Sequence, residues 1–296
     1  MFVLGVLIVL AALVTGASLA NRQRLASVSA EKSLFQTHLS LQGALQAVMA
    51  KLSLDSEMAA ILAKDPSAGR GLVKIPEPWR ASEGAQHMEL DGNLFEIRIA
   101  QATWFPDANA LSDTEWARLL VELGVQQEGA LALGQRLVTK RDLLRRGGSG
   151  KGFVNYHQIF DGMSLPPSVL FGNRVTGETG LIDLISLGTD SKETDPMFTP
   201  WVIYRALYNA TESHIKRLQA KRDAGQLTKA QEAEILGMAA PAQPTQPSPT
   251  PVSLLKVVAA PAMSTDTPAS SISLQGVVKI QAGTVSLQTE YLFFRE

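Results

Sequence analysis

The first twenty residues, Met1 to Ala20, carry no ionisable side chain, and the first charge is Arg22. A helix of that length spans roughly 30 Å, the thickness of a bilayer's hydrocarbon core. The apolar pattern then continues in diluted form. Leu25, Val28, Phe35, Leu39, Leu45, Val48, Met49 and Leu52 recur mostly at steps of three and four, and no proline precedes Pro66. This spacing predicts one helix over about 1–62, apolar first and amphipathic after. A cleaved secretory signal is the competing reading, with Ser18-Leu19-Ala20 as its small-x-small site, but its amino-terminal side would lack any Lys or Arg. Arg22 and Arg24 flank the apolar run on its carboxyl side. By the positive-inside tendency they would hold the rest of the chain in the cytoplasm unless a removed basic leader opposed them.

Past the prolines and glycines at 66–78 the period changes to two. Phe95, Ile97 and Ile99 alternate with Glu96 and Arg98 after Asp91-Gly92-Asn93, which predicts a hairpin in a β region over 70–106. From residue 107 the period lengthens again. Ser112 and Glu115 form a capping box ahead of Trp116, Leu119, Leu120 and Leu123, and Thr228 and Gln231 repeat the device further on. Helices are expected over 130–146, 201–209, 211–224 and 228–238, making 107–238 a mostly helical unit. Residues 239–271 hold 7 of the 15 prolines among Ala, Ser, Thr and Gln, and read as a mobile loop. Alternation returns in 272–296 as a carboxy-terminal hairpin. Two β pieces flanking a helical segment predict an α+β fold: a long amino-terminal helix on one small antiparallel sheet, with a mostly helical insertion.

Composition narrows the function classes. Hydrophobic residues make up 45% and charged ones 19%, enough apolar material for a core. With 27 basic and 28 acidic side chains the net charge is −1, so the footprint of a dedicated nucleic-acid binder is missing. Cysteine is absent, which removes disulfides, thiolate metal sites and thiol nucleophiles. His38, His87, His157 and His214 show no metal-ligand spacing. The run Gly147 to Gly152 is no phosphate loop, because Arg145 and Gly152 stand where a glycine and a Ser/Thr are needed. Asp190, Glu193 and Asp195 bunch within six residues and are candidate hard oxygen ligands for calcium, with solvated loop charges as the ordinary alternative. Lys216, Arg217, Lys221 and Arg222 form a basic patch that reads as a solvated helix face. No catalytic site is expected, and no cofactor beyond that calcium candidate.

The whole plan resembles the K-type minor pseudopilin family of type II secretion systems, within the type IV pilin-like superfamily. Pilin-like subunits carry a glutamate at the fifth mature position. Here Gly5, or Val6 if Phe2 leads, stands there, and the K-type family is the one that characteristically lacks the carboxylate. Phe105 to Leu111, leading into Trp116 to Leu120, resembles that family's Asn-containing run before its first inserted helix. Phe153 to Phe160 is placed like its next segment, and Asp195 to Leu207 with Thr211 to Gly225 resembles its later helix pair. A departure falls at Thr139-Lys140-Arg141-Asp142, where only the last position fits the family's Asp-Trp-x-Asp motif.

The resemblance implies a tip subunit of a short pseudopilus that assists export of folded proteins. Its partners would be other minor pseudopilins, the major pseudopilin, the inner membrane and exported substrates, with Phe2, Val3, Leu4, Gly5, Val6 and Leu7 in a membrane and assembly helix. It also implies a single pass through the bacterial inner membrane and a periplasmic globular part. The rivals are a membrane-anchored periplasmic scaffold unrelated to pilins, a signal-anchored enzyme, and a cytoplasmic nucleic-acid module.

Overall fold

The computed structural model describes residues 2–64, 79, 81, 84–173, 178–239, 253–262, 271–281 and 284–295; the side chains at 2–21, 30, 148, 149, 253, 271, 272, 281, 284 and 289–295 lie outside the described set. One unbroken helix, α1, runs from Phe2 to Lys64. It is followed by β1 (Ala85–Leu90) and β2 (Asn93–Gln101), joined at Asp91-Gly92. Both turn residues have positive φ, 50° and 76°, the conformation a two-residue hairpin needs to match strand twist.

A helical stretch comes next: α2 (Asp113–Glu122), α3 (Gln127–Leu144), α4 (Tyr156–Phe160), α5 (Pro167–Phe171), α6 (Leu181–Leu184), α7 (Trp201–Tyr208), α8 (Glu212–Asp223) and α9 (Lys229–Leu236). A two-residue ladder, β3 (Gly172–Asn173) with β4 (Glu178–Thr179), sits between α5 and α6. The chain closes with β5 (Ser253–Pro261), β6 (Ser271–Gln281) and β7 (Thr284–Arg295).

The main sheet is antiparallel throughout, in the order β1-β2-β5-β6-β7. The helical stretch is therefore an insertion between neighbouring strands β2 and β5, whose register pairs Gln101 with Leu255. In β7, Val277 faces Thr289 while Val278 faces Leu287, so Gln288 is the extra residue of a bulge.

Three layers result. On one face of the sheet, Phe95, Ile97, Ile99, Leu255, Val257, Ala259, Leu274 and Val278 pack against Leu41, Ala44, Leu45, Val48 and Leu52 of α1. On the other, Leu254, Val258 and Val277 meet the insertion, whose own core is built on Trp116, Leu119, Leu120, Tyr156, Leu181 and Ile203. A smaller cluster of Tyr204, Ile215, Leu218, Leu227 and Ile235 ties α8 and α9 to α7.

Both capping boxes read from the sequence form: Ser112 Oγ accepts from the Glu115 amide at 3.3 Å, and Thr228 Oγ1 accepts from the Gln231 amide at 3.3 Å. The α+β arrangement of a long helix on an antiparallel sheet with a helical insertion is the one found.

One expectation needs correcting. The segment 239–271 was expected as a single proline-rich loop, yet Ser253–Pro261 within it is the central strand β5. Its sequence, Leu254-Leu255-Lys256-Val257-Val258-Ala259-Ala260, is nearly continuously apolar because both faces are covered. A strand buried on both sides loses the period-two signature. The proline count of the wider window then hides it. The rest of that window, 240–252 and 263–270, lies outside the described residues.

Leu45 is 1% exposed at the centre of the contact between α1 and the sheet. Leu45→Ala is expected to lower stability by about 2–5 kcal/mol, read as a shifted urea midpoint at unchanged slope.

Candidate functional site

The surface that distinguishes this chain is on α1. At about 100° per residue, Leu41, Ala44, Leu45, Val48 and Leu52 fall in a stripe roughly 100° wide, the one that meets the sheet. The helix also has a second stripe. Leu25, Val28, Phe35, Leu39, Leu54 and Ile61 are all exposed, Leu25 at 70% and Phe35 at 63%. On the same helical count they cluster within about 100° of one another, centred roughly 180° from the first stripe.

The second stripe therefore faces away from the protein's own sheet. It runs for about 54 Å, from Leu25 to Ile61, at the 1.5 Å rise of a helix. Lys32, Gln46 and Glu57 fall on the same face, so the exposed apolar residues form two groups, Leu25 to Leu39 and Leu54 with Ile61. The sequence pattern merges the two stripes, since steps of three and four alone do not say which face is covered from within.

Arg22, Arg24, Glu31 and Lys32 lie in the exposed part of α1 ahead of the sheet contact. Among the described residues no helix is long and apolar enough to cross a membrane. The side chains of Phe2, Val3, Leu4, Gly5, Val6 and Leu7, named for the membrane and assembly helix, lie outside the described residues. Their backbone belongs to α1.

The Asn-containing run singled out in the sequence forms a buried clasp. Asn109 Oδ1 accepts from the Phe153 amide at 2.6 Å, and its Nδ2 donates to the Phe153 carbonyl at 2.9 Å. One side chain thus imitates a β-bridge between two distant loops. Gly152 must be glycine here, because a Cβ would come within 2.1 Å of Asn109 Oδ1. Asp107, fully buried, accepts from the amides of Asn109 (2.7 Å), Thr189 (2.7 Å) and Asp190 (3.0 Å), which satisfies its carboxylate and fixes the loop through 191.

The calcium candidates have separate contacts in this geometry. Asp190 follows the Asp107 clasp with a positive φ of 51°. Glu193 pairs with Lys229 at 3.2 Å, and Asp195 Oδ1 accepts from the Met197 amide at 2.9 Å. Asp190, Glu193 and Asp195 are not brought together, and among the described residues no group of three His, Asp or Glu could hold a metal ion.

Of the basic patch, Arg222 is taken up structurally. Its guanidinium lies 3.7 Å from the Trp201 ring centre and donates to the carbonyls of Pro196 (2.7 Å) and Thr199 (2.8 Å). His214 serves as a helix cap, its Nδ1 accepting from the Thr211 amide at 3.3 Å.

Sequence reasoning missed two buried polar devices. Lys256, 3% exposed on β5, donates to the carbonyls of Ile182 and Ile185 and lies 4.6 Å from the Phe105 ring centre, locking the insertion to the sheet. Glu232, 7% exposed, accepts from the Tyr204 hydroxyl at 2.6 Å. A lone charge in an apolar run was the available hint for Lys256; nothing local marks Glu232 as buried.

No protein-family model matches the chain, and no curated protein matches it. Among solved structures, the chain is similar to a chain in the crystal structure of the GspK-GspI-GspJ complex from the type 2 secretion system of enterotoxigenic Escherichia coli. The likeness has 13% identity and a TM-score of 0.41, covering 87% of this chain and 98% of that one.

Two outcomes are expected. Asn109→Ala leaves the buried Phe153 amide without its partner and should cost about 1–3 kcal/mol in urea unfolding. Burial pushes the Glu232 carboxyl above its ordinary range, against the opposing hydrogen bond from Tyr204. A raised folded value means that the protonated form stabilises the fold. That contribution is whole below the unfolded value of about 4.3 and is lost as pH rises through the folded one. Glu232→Gln should therefore be more stable than the parent at neutral pH, with the advantage vanishing in acid, as thermal melts across pH would report.

Proposed function

We propose that this chain is a minor pseudopilin at the tip of a type II secretion pseudopilus, assisting export of folded proteins across the outer membrane, and that it acts by assembly without catalysis. The observation that carries the reading is the second apolar stripe on α1. A helix that packs one face on its own sheet and offers the opposite face over about 54 Å is suited to side-by-side stacking with similar helices. The uncharged run from Phe2 to Ala20 belongs to the same helix, as expected of a single-pass inner-membrane anchor from which subunits are drawn into the filament. The partners in this reading are other minor pseudopilins and the major pseudopilin.

The insertion supplies the tip character. It leaves the sheet between β2 and β5 and covers the sheet face opposite α1. In this reading, bulk of that size across the sheet from the assembly helix would block a further subunit from stacking above it.

Phe35→Glu tests the reading. It changes only an exposed side chain, so thermal unfolding should stay within about 0.5 kcal/mol of the parent. Co-purification with the other pseudopilins and the export of folded enzymes should both fall sharply. Normal assembly and export by a folded Phe35→Glu protein would remove the basis of the proposal.

A further inference from the structure

The outer side of the insertion carries a groove that the assembly reading does not use. It lies between one face of α3 and the segment 159–163 that ends α4, and has a volume of about 620 Å³. Leu133, Leu143, Ile159 and Met163 line it, and Leu143 is 60% exposed. Its α3 wall runs from Ala132 to Leu143, about 16 Å or three helical turns.

The groove wall carries two cations, Arg136 and Lys140, and one acid, Asp161, and the chain runs on past it through Arg141, Asp142, Arg145 and Arg146. Arg141 is committed to the carbonyls of Asn109 and Leu111, and Arg145 to that of Asn109. Arg136 and Lys140 are in the groove wall itself. Arg136 gives one bond to the Gly162 carbonyl (3.3 Å), and Lys140 bonds the Asp161 carbonyl (3.0 Å) with its ammonium 3.9 Å from that residue's carboxylate. A guanidinium has five N–H donors and an ammonium three, so both side chains keep donors for a further acceptor.

We propose that this groove is a docking site for an acidic amphipathic segment of another protein, one that lays apolar side chains against Leu133, Leu143 and Met163 and sets carboxylates on Arg136 and Lys140. Three turns of groove match three turns of a helix carrying anchors at i, i+3/4 and i+7. The concave shape selects a peptide segment over a bilayer, whose planar surface cannot enter a trough. Cations beside apolar walls fix the register and speed of encounter, while the walls supply the burial. The inference stands on the groove's own shape and charge, so it survives or fails apart from the secretion reading.

The test uses the full chain in detergent and a fluorescein-labelled designed helix of about sixteen residues, leucine along one face and glutamate along the other. Saturable binding by anisotropy is expected, weakening about tenfold or more for Arg136→Glu with Lys140→Glu, and weakening on added salt. Leu143→Gln, which leaves every charge in place, should also weaken it. Circular dichroism melts identify any variant that has lost its fold, and the lysine-for-glutamate version of the peptide, which should not bind, tests charge selectivity on the unaltered protein. The proposal is overturned by absence of binding at about millimolar peptide, by equal binding of the lysine peptide, or by indifference to both groove substitutions in folded protein. Co-sedimentation with phosphatidylcholine–phosphatidylglycerol vesicles showing the same sensitivity to Arg136→Glu and Lys140→Glu would reassign the surface to lipid and equally overturn it.

Discussion

A small sheet buried on both faces needs two covers, and this chain supplies them from different parts of its sequence. The contact of Leu41, Ala44, Leu45, Val48 and Leu52 with the sheet is the one on which the rest depends. It seats about three turns of a 63-residue helix on the sheet and leaves the described side chains of 22–36 exposed ahead of them. Long helices draw most of their stability from a packed face. In the assembly proposed above, neighbouring helices would supply that face for the protruding length.

The second cover, the helical insertion, is attached by a mixture of oil and polar bonds. Leu254, Val258 and Val277 provide apolar contact, while Lys256 reaches across to the carbonyls of Ile182 and Ile185. A buried cation is poor value as stabilisation but specific as a register device, since only one placement of the insertion offers it those acceptors. The Asp107 and Asn109 clasps do similar work inside the insertion. They join loops far apart in sequence through side chains that act as backbone substitutes, so the loops around 107–111, 152–154 and 186–191 hold a single geometry.

Much of this was legible in the residues, and the failures have physical causes. Capping boxes at Ser112 and Thr228 and the Asp91-Gly92 turn are local chemistry, so spacing alone finds them. Strand β5 was hidden because double burial erases alternation. The apolar residues of α1 were visible, but the division into a stripe against the sheet and an exposed stripe was not. Periodicity counts faces only relative to the helix, and which face is covered from within depends on where β5 and β6 lie. Asp190, Glu193 and Asp195 are neighbours along the chain, whereas the fold places them separately at a positive-φ turn, in an ion pair with Lys229 and in a hydrogen bond to the Met197 amide.

The insertion departs after Gln101 and returns by Leu255, two residues that are direct partners across adjacent strands. Bringing them together closes a loop of roughly 150 residues, whose entropic cost grows only logarithmically with length and shrinks once the interior has collapsed on itself. The helices, rich in near-neighbour contacts, can therefore condense first and deliver the two ends side by side, with the sheet zipping last. The sheet is thus split in sequence yet continuous in space, and its β2–β5 junction is where a graft could be shortened, lengthened or exchanged while the helix beneath keeps its seat.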